Sequence, residues 1–148
     1  MQGPLIDSPA FVLMQAGRLA MEWAAEAVDP FGLTLPQFAA LALVQRFDGI
    51  SQSGIGERLG LSKAAVSGIA MSLEQQRLLV RRQHMLDPGR RALYVTQAGA
   101  ELVAAAADRL ARVDARFLDR VGEEAIEALA KLPPRNLSAI EIALLYCQ

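Results

Sequence analysis

The stretch from Gly56 to Glu74, GERLGLSKAAVSGIAMSLE, most narrows the folds open to this chain. A short amphipathic run stops at Gly60, and a second begins after only Leu61 and Ser62. Ser51 is placed to cap the first helix and Ser62 the second, while Gly60 can end the first in a left-handed conformation. Gly54 and Gly56 make the first helix intrinsically weak, so tertiary packing must hold it. On the second, Val66, Ile69, Ala70 and Leu73 recur at i, i+3, i+4 and i+7 as one apolar stripe. Two helices joined by so short a glycine-containing turn have the sequence form of a helix-turn-helix.

The period then changes. Leu79 to Gln83 and Ala92 to Thr96 are short β-like runs, joined by His84 to Arg90 with Asp87-Pro88-Gly89 setting a tight turn. A helix-turn-helix followed by a two-stranded ribbon with a basic tip is a winged helix. Around it the chain reads as helical. Ser8-Pro9 opens a helix running from Phe11 to Val28, and Asp29-Pro30-Phe31-Gly32 ends it. Thr34 to Gln37 forms a capping box that opens a helix to about Phe47. Thr96 caps an Ala-rich helix from about Gln97 to Val121, and Gly122 and Pro133-Pro134 divide the remainder into two helical pieces. Aromatic residues supply only 5% of the chain, so the core must be mostly Ala, Leu and Val, a mix that favours helices. The expected fold is all-α with a small two-stranded β-wing. Its expected regions are an N-terminal dimerisation helix over 1–32, a winged helix-turn-helix DNA-binding domain over 33–96, and C-terminal dimerisation helices over 97–148.

A helical wheel sets Ala64, Ser67, Gly68, Met71 and Gln75 opposite the apolar stripe, with Lys63 and Ala65 beside them. Surface helices normally carry Glu, Lys and Gln there. Small side chains let a helix backbone sink into a major groove about 12 Å wide, where Ser, Gln and Lys hydrogen-bond base edges and Ala or Met meets thymine methyls. Packing against a neighbouring helix is the alternative use of such a face. Charge weighs against that alternative. Residues 60–91 carry Lys63, Arg77, Arg81, Arg82, Arg90 and Arg91 against Glu74 and Asp87, whereas the rest of the chain is acidic. A basic block in a chain of net charge −1 is a footprint for a polyanion.

From Leu33-Thr34-Leu35-Pro36-Gln37, through SGIGERLGLSKAAVSGIAMSLEQQRLLVRR, to DPGRRALYVTQAG, the chain resembles the MarR family of bacterial transcriptional regulators. The family pattern there is L-T-x-x-Q, a helix-turn-helix, L-E-x-x-G-L-V-x-R, an Asp- and Arg-bearing wing and L-T-x-x-G. The resemblance implies that Ser62 to Gln76 is the recognition helix and that Asp87 and Arg90 shape the wing, the arginine entering the minor groove or gripping phosphate. It implies dimerisation through the N- and C-terminal helices, and repression of a palindromic operator relieved by a small, phenolic or lipophilic effector. Three departures stand out. Arg77 occupies the family's helix-ending glycine, Gly68 replaces a long polar side chain, and the segment after Pro133-Pro134 extends the usual C-terminus.

The expected function is thus a dimeric, sequence-specific DNA-binding repressor. The alternative is a winged helix that meets an acidic protein partner. Expected DNA contacts are Ser62, Lys63, Ala64, Ala65, Ser67, Gly68, Met71 and Gln75 on the helix, with Arg81, Arg82, His84, Asp87, Arg90 and Arg91 in the wing. His84, the only histidine, is expected to face solvent or phosphate. One His and one Cys cannot build a zinc site, and no Ser/His/acid set suggests an enzyme. Gly54-Ile-Gly56-Glu-Arg-Leu-Gly60 imitates a dinucleotide fingerprint, but its third glycine comes one residue late and no strand precedes it. No cofactor or metal is expected. Trp23, Phe31, Phe38 and Met14 are candidates for lining an effector pocket, though aromatics at helical spacing commonly form core, so no ligand residue is assigned. Cys147 is the only thiol and is read as inert. Its isolation, the lack of a basic, apolar leader and the lack of a bilayer-length apolar run predict a cytoplasmic chain without a membrane partner.

Overall fold

The computed structural model describes residues 8–132. Cys147 and the Pro133-Pro134 break lie outside that range. Six α-helices and one two-stranded antiparallel sheet follow in the order expected for a winged helix. Helix α1 spans Pro9–Val28, with the Ser8 hydroxyl accepting from the Phe11 N–H at its start. A single 3-10 turn, Asp29–Phe31, and Gly32 lead to α2, Leu35–Arg46. The predicted capping box is formed in full: the Gln37 N–H donates to Thr34 Oγ1, and the Thr34 N–H donates to Gln37 Oε1.

Helix α2 is the hub. It packs against α1, against α3 (Gln52–Leu59) and α4 (Lys63–Gln75), against β2 (Arg91–Val95), and against α5 (Gln97–Val121). Its buried Phe38, Leu41 and Val44 meet Ile55 of α3, Val66 and Leu73 of α4, and Leu79 and Leu93 of the sheet in one core. Val28 at the end of α1 and Ala106 in α5 belong to the same core, so it runs through all three stretches of the chain. Further along, Trp23 of α1 stacks at 4.8 Å on Phe117 of α5, with the Arg116 guanidinium 4.3 Å from the Trp23 ring. Of the other candidate pocket residues, Phe38 is buried, Phe31 packs against the core and Met14 is exposed. Helix α6, Glu123–Ala130, follows Gly122. Among the described residues no single helix is long and apolar enough to cross a membrane, and no cluster of three metal-ligating side chains occurs.

The sheet pairs β1, Leu79–Gln83, with β2 in the register Leu79↔Val95 to Gln83↔Arg91. Strand β2 begins and ends one residue earlier than the sequence pattern suggests, because Thr96 serves the next helix instead. Its Oγ1 accepts from the Gly99 N–H as the cap of α5 and donates to the Arg77 carbonyl at 2.8 Å. Ile50 adds a third rung outside the ribbon, its carbonyl accepting from the Leu93 N–H at 2.9 Å.

The end of α4 explains the departure at Arg77. The Leu78 N–H donates to the Leu73 carbonyl and the Arg77 N–H to the Glu74 carbonyl, a Schellman closure that requires a left-handed residue at position 77. Arg77 adopts it, at φ 59°. An L side chain pays roughly 1–2 kcal/mol for that conformation. Glycine is placed instead at position 99, where a Cβ would collide with the Leu78 carbonyl and the Val95 side chain. The two sites predict opposite signs. Arg77→Gly should raise stability by about 1 kcal/mol, the relieved strain exceeding the entropy that glycine adds to the unfolded chain. Gly99→Ala should lower it by about 1–3 kcal/mol. Urea unfolding midpoints of the two variants check both.

Candidate nucleic-acid interface

Helix α4 turns its faces as the apolar stripe dictates. Val66, Ala70 and Leu73 are buried and Ile69 half-buried, which leaves Lys63, Ala64, Ala65, Gly68, Met71 and Gln75 exposed. Ser67 is half-buried, and Met71 is 52% exposed. No neighbouring helix covers this face in the described chain, and a Cβ at Gly68 would meet nothing within 4 Å. Ser62 is exposed and caps the helix by accepting from the Ala65 N–H, which leaves its own hydroxyl proton free to donate outward. Rotation of α4 is pinned from behind. Ser72 Oγ accepts from Gln37 Nε2 at 3.1 Å, so the residue that closes the capping box of α2 also grips α4.

Between the α3–α4 elbow and the wing lies an open groove of ≈ 950 Å³. Four cationic side chains line it, Lys63, Arg81, Arg90 and Arg91, against one carboxylate, Glu57. The groove therefore continues the small, nearly uncharged face of α4 into a positive one. Such a surface presents contacts for base edges on one side and for phosphates on the other.

The arginines do not all stand free. Arg81 is only 20% exposed on its side chain, and its Nε lies 3.1 Å from a Glu74 carboxylate oxygen. The Nε–H finds no aligned acceptor, so the contact is an ion pair rather than a directed hydrogen bond. Arg81 thus ties β1 to the end of α4. Arg90 turns back from the wing, donating from a guanidinium nitrogen to Ser51 Oγ at 3.1 Å, the same hydroxyl that caps α3. Arg82 and Arg91 are exposed. The Arg90 contact bridges elements 39 residues apart, and the Arg81 pair joins the consecutive α4 and β1 across the turn at Arg77.

His84 is built into the wing tip. It is half-buried, its Nδ1 accepts from the Leu86 N–H at 3.2 Å, and its backbone N–H donates to the Arg90 carbonyl at 2.8 Å. The tip needs an acceptor for the Leu86 N–H, and the imidazole supplies it. Asp87 shapes the turn as the resemblance implies, its Oδ1 accepting from the Gly89 N–H and its carbonyl from the Arg90 N–H.

Known proteins of similar sequence and similar shape agree on one family. A family model described as MarR family matches residues 31–87. The transcriptional regulator HosA of Escherichia coli O111:H- is 32% identical over 108 residues, covering 72% of this chain and 79% of that protein. Among solved structures, the transcriptional repressor CouR bound to a 23-mer DNA duplex superimposes with a TM-score of 0.80 at 26% identity, over 89% of this chain and 94% of that one. CouR bound to p-coumaroyl-CoA gives a TM-score of 0.77 at 26% identity, over 89% and 93% of the two chains. With a relative 32% identical over 72% of this chain and a family model matching the helix-turn-helix, the chain belongs to the MarR family.

Proposed function

We propose that this chain is a DNA-binding transcriptional regulator, a homodimeric repressor that a small-molecule effector releases from a palindromic operator. The observation that carries this reading is the exposed α4 face, small and with Glu74, paired to Arg81 at its edge, as its one carboxylate, set beside a groove lined by four cations. Carboxylates there would repel phosphate and desolvate poorly, and long side chains would hold the backbone away from base edges. CouR supports both arms, having been solved with a DNA duplex and with p-coumaroyl-CoA.

Dimerisation is proposed from the apolar surface left on the helices outside the winged module. Val12, Met14 and Met21 of α1 are each more than half exposed, and Leu118, Val121, Ile126 and Leu129 of α5 and α6 are also exposed. Leu13, Ala20, Phe117, Leu118, Ile126 and Leu129 are among the residues that line a groove of ≈ 540 Å³ between these helices. Exposed apolar surface on this scale marks an interface. Sedimentation at micromolar concentration should therefore give twice the mass of the chain, and two recognition helices about 34 Å apart would read half-sites one turn apart.

Three substitutions separate the parts of the DNA surface. Gly68→Ala should raise thermal stability by about 0.8–1 kcal/mol, since the helix interior prefers alanine and the Cβ meets no atom. The same variant should bind its selected duplex more weakly, because the added methyl holds the backbone off the groove. Arg91→Ala should weaken selected and random duplexes alike and flatten the dependence of log affinity on log salt by about 2, roughly 0.9 for each phosphate charge lost on each half of a dimer. Arg81→Ala should change that slope far less, because its guanidinium is already committed to Glu74. An unchanged slope for Arg91→Ala would turn the reading toward an acidic protein partner.

A further inference from the structure

The outermost side chains of the wing are not its arginines. Met85 is 91% exposed and Leu86 89%, the two most exposed large apolar side chains in the described chain. They stand beyond the last ladder pair, Gln83↔Arg91, at the far end of the ribbon. The arginine expected to project there, Arg90, is drawn back onto Ser51. The tip is also held rigid. His84 Nδ1 fixes the Leu86 N–H, the His84 N–H closes the loop on the Arg90 carbonyl, and Asp87 ties down Gly89 and Arg90. Two adjacent apolar side chains are thus presented on a preformed turn, so that only their rotamers remain to be ordered when they meet a partner.

We propose that Met85 and Leu86 form an apolar wedge that enters the minor groove beside the α4 site and partly unstacks one base step, so that the wing reads how easily DNA deforms. The proposal rests on the DNA-binding reading above. Duplex DNA is the occupant favoured here because the tip continues a cationic surface. Arg82 and Arg91 flank its base, and the groove with Lys63 lies directly behind. Apolar side chains between stacked bases gain contact with base faces, and cations at the base of the wedge grip the phosphates on either side. The sequence preference that results is indirect. Pyrimidine–purine steps such as TA yield easily, whereas A-tracts are stiff and narrow. The wedge adds specificity at positions where no side chain need contact a base edge.

The test uses the full chain and a duplex recovered from a random library by the wild-type protein, with the step beneath each wing set to TA or AA. A 2-aminopurine placed at that step reports unstacking. Wild type should favour the TA duplex by about tenfold and brighten the probe on binding. Met85→Ser/Leu86→Ser should lose both the preference and the brightening, and should bind the TA duplex about tenfold more weakly with an unchanged salt slope, since no charge is removed. Both side chains are exposed, so the variant should melt with wild type. A double variant that keeps wild-type affinity, or a wild-type complex in which the probe stays dark, overturns the wedge and leaves the DNA-binding reading standing. A wild-type protein that recovers no duplex overturns that reading and the wedge with it.

Discussion

The burial of one face of α4 decides how everything else is presented. Val66, Ala70 and Leu73 are removed from water against Leu41 and Ile55, and each fully buried Leu, Ile or Val is worth roughly 1.5–3 kcal/mol. The Gln37–Ser72 hydrogen bond that locks the same rotation adds about 1 kcal/mol. The apolar stripe therefore sets the orientation and the hydrogen bond sharpens it. Once α4 cannot turn, Ala64, Ala65, Gly68 and Met71 have no place except the outside. A helix that needed only solubility would carry charge there. This one accepts an interior glycine, which costs stability, and exposed methyls that make no contact within the chain.

The remaining elements serve that presentation. The Schellman closure at Arg77 and the double role of Thr96 join the end of α4, the ribbon and the start of α5 within a few residues, so the wing cannot drift relative to the recognition helix. The Arg81–Glu74 pair adds a second tie between β1 and α4, worth at most about 1 kcal/mol at its exposure. Its larger effect is to remove one arginine from the set free to meet a polyanion. What remains in the groove, Lys63, Arg90 and Arg91, is a compact positive site on a chain whose other residues carry a net negative charge. That asymmetry orients an approaching polyanion toward α4 before any side chain touches it.

Most of the fold was legible because its signals are local. Ser8, Thr34, Ser51, Ser62 and Thr96 all cap the helices that their positions suggested, and the stripe from Val66 to Leu73 gave the buried face of α4. The one-residue offset of β2 came from Thr96, whose capping role outweighs its strand propensity. What could not be read depends on chain segments meeting in space. Arg90 finds Ser51 across 39 residues, and Arg81 finds Glu74 across the end of a helix, so each has a partner within the chain that a count of basic residues does not show. His84 looked free because nothing in the sequence shows that the Leu86 N–H needs its Nδ1. Met85 and Leu86 carried no pattern at all, and only the geometry of the tip shows them outermost.

The central claim is that the small face of α4 lies against base edges in a major groove. It is tested most directly by scanning a duplex selected by the wild-type protein with changes confined to that groove. Each thymine is replaced in turn by uracil, which removes only the C5-methyl, and each purine by its 7-deaza analogue, which removes only the N7 acceptor. Two clusters of positions about 10 base pairs apart should each weaken binding, with the uracil effect at one thymine in each cluster abolished by Met71→Ala. Binding indifferent to every major-groove change would contradict the account, for it would mean that the exposed face of α4 meets something other than DNA.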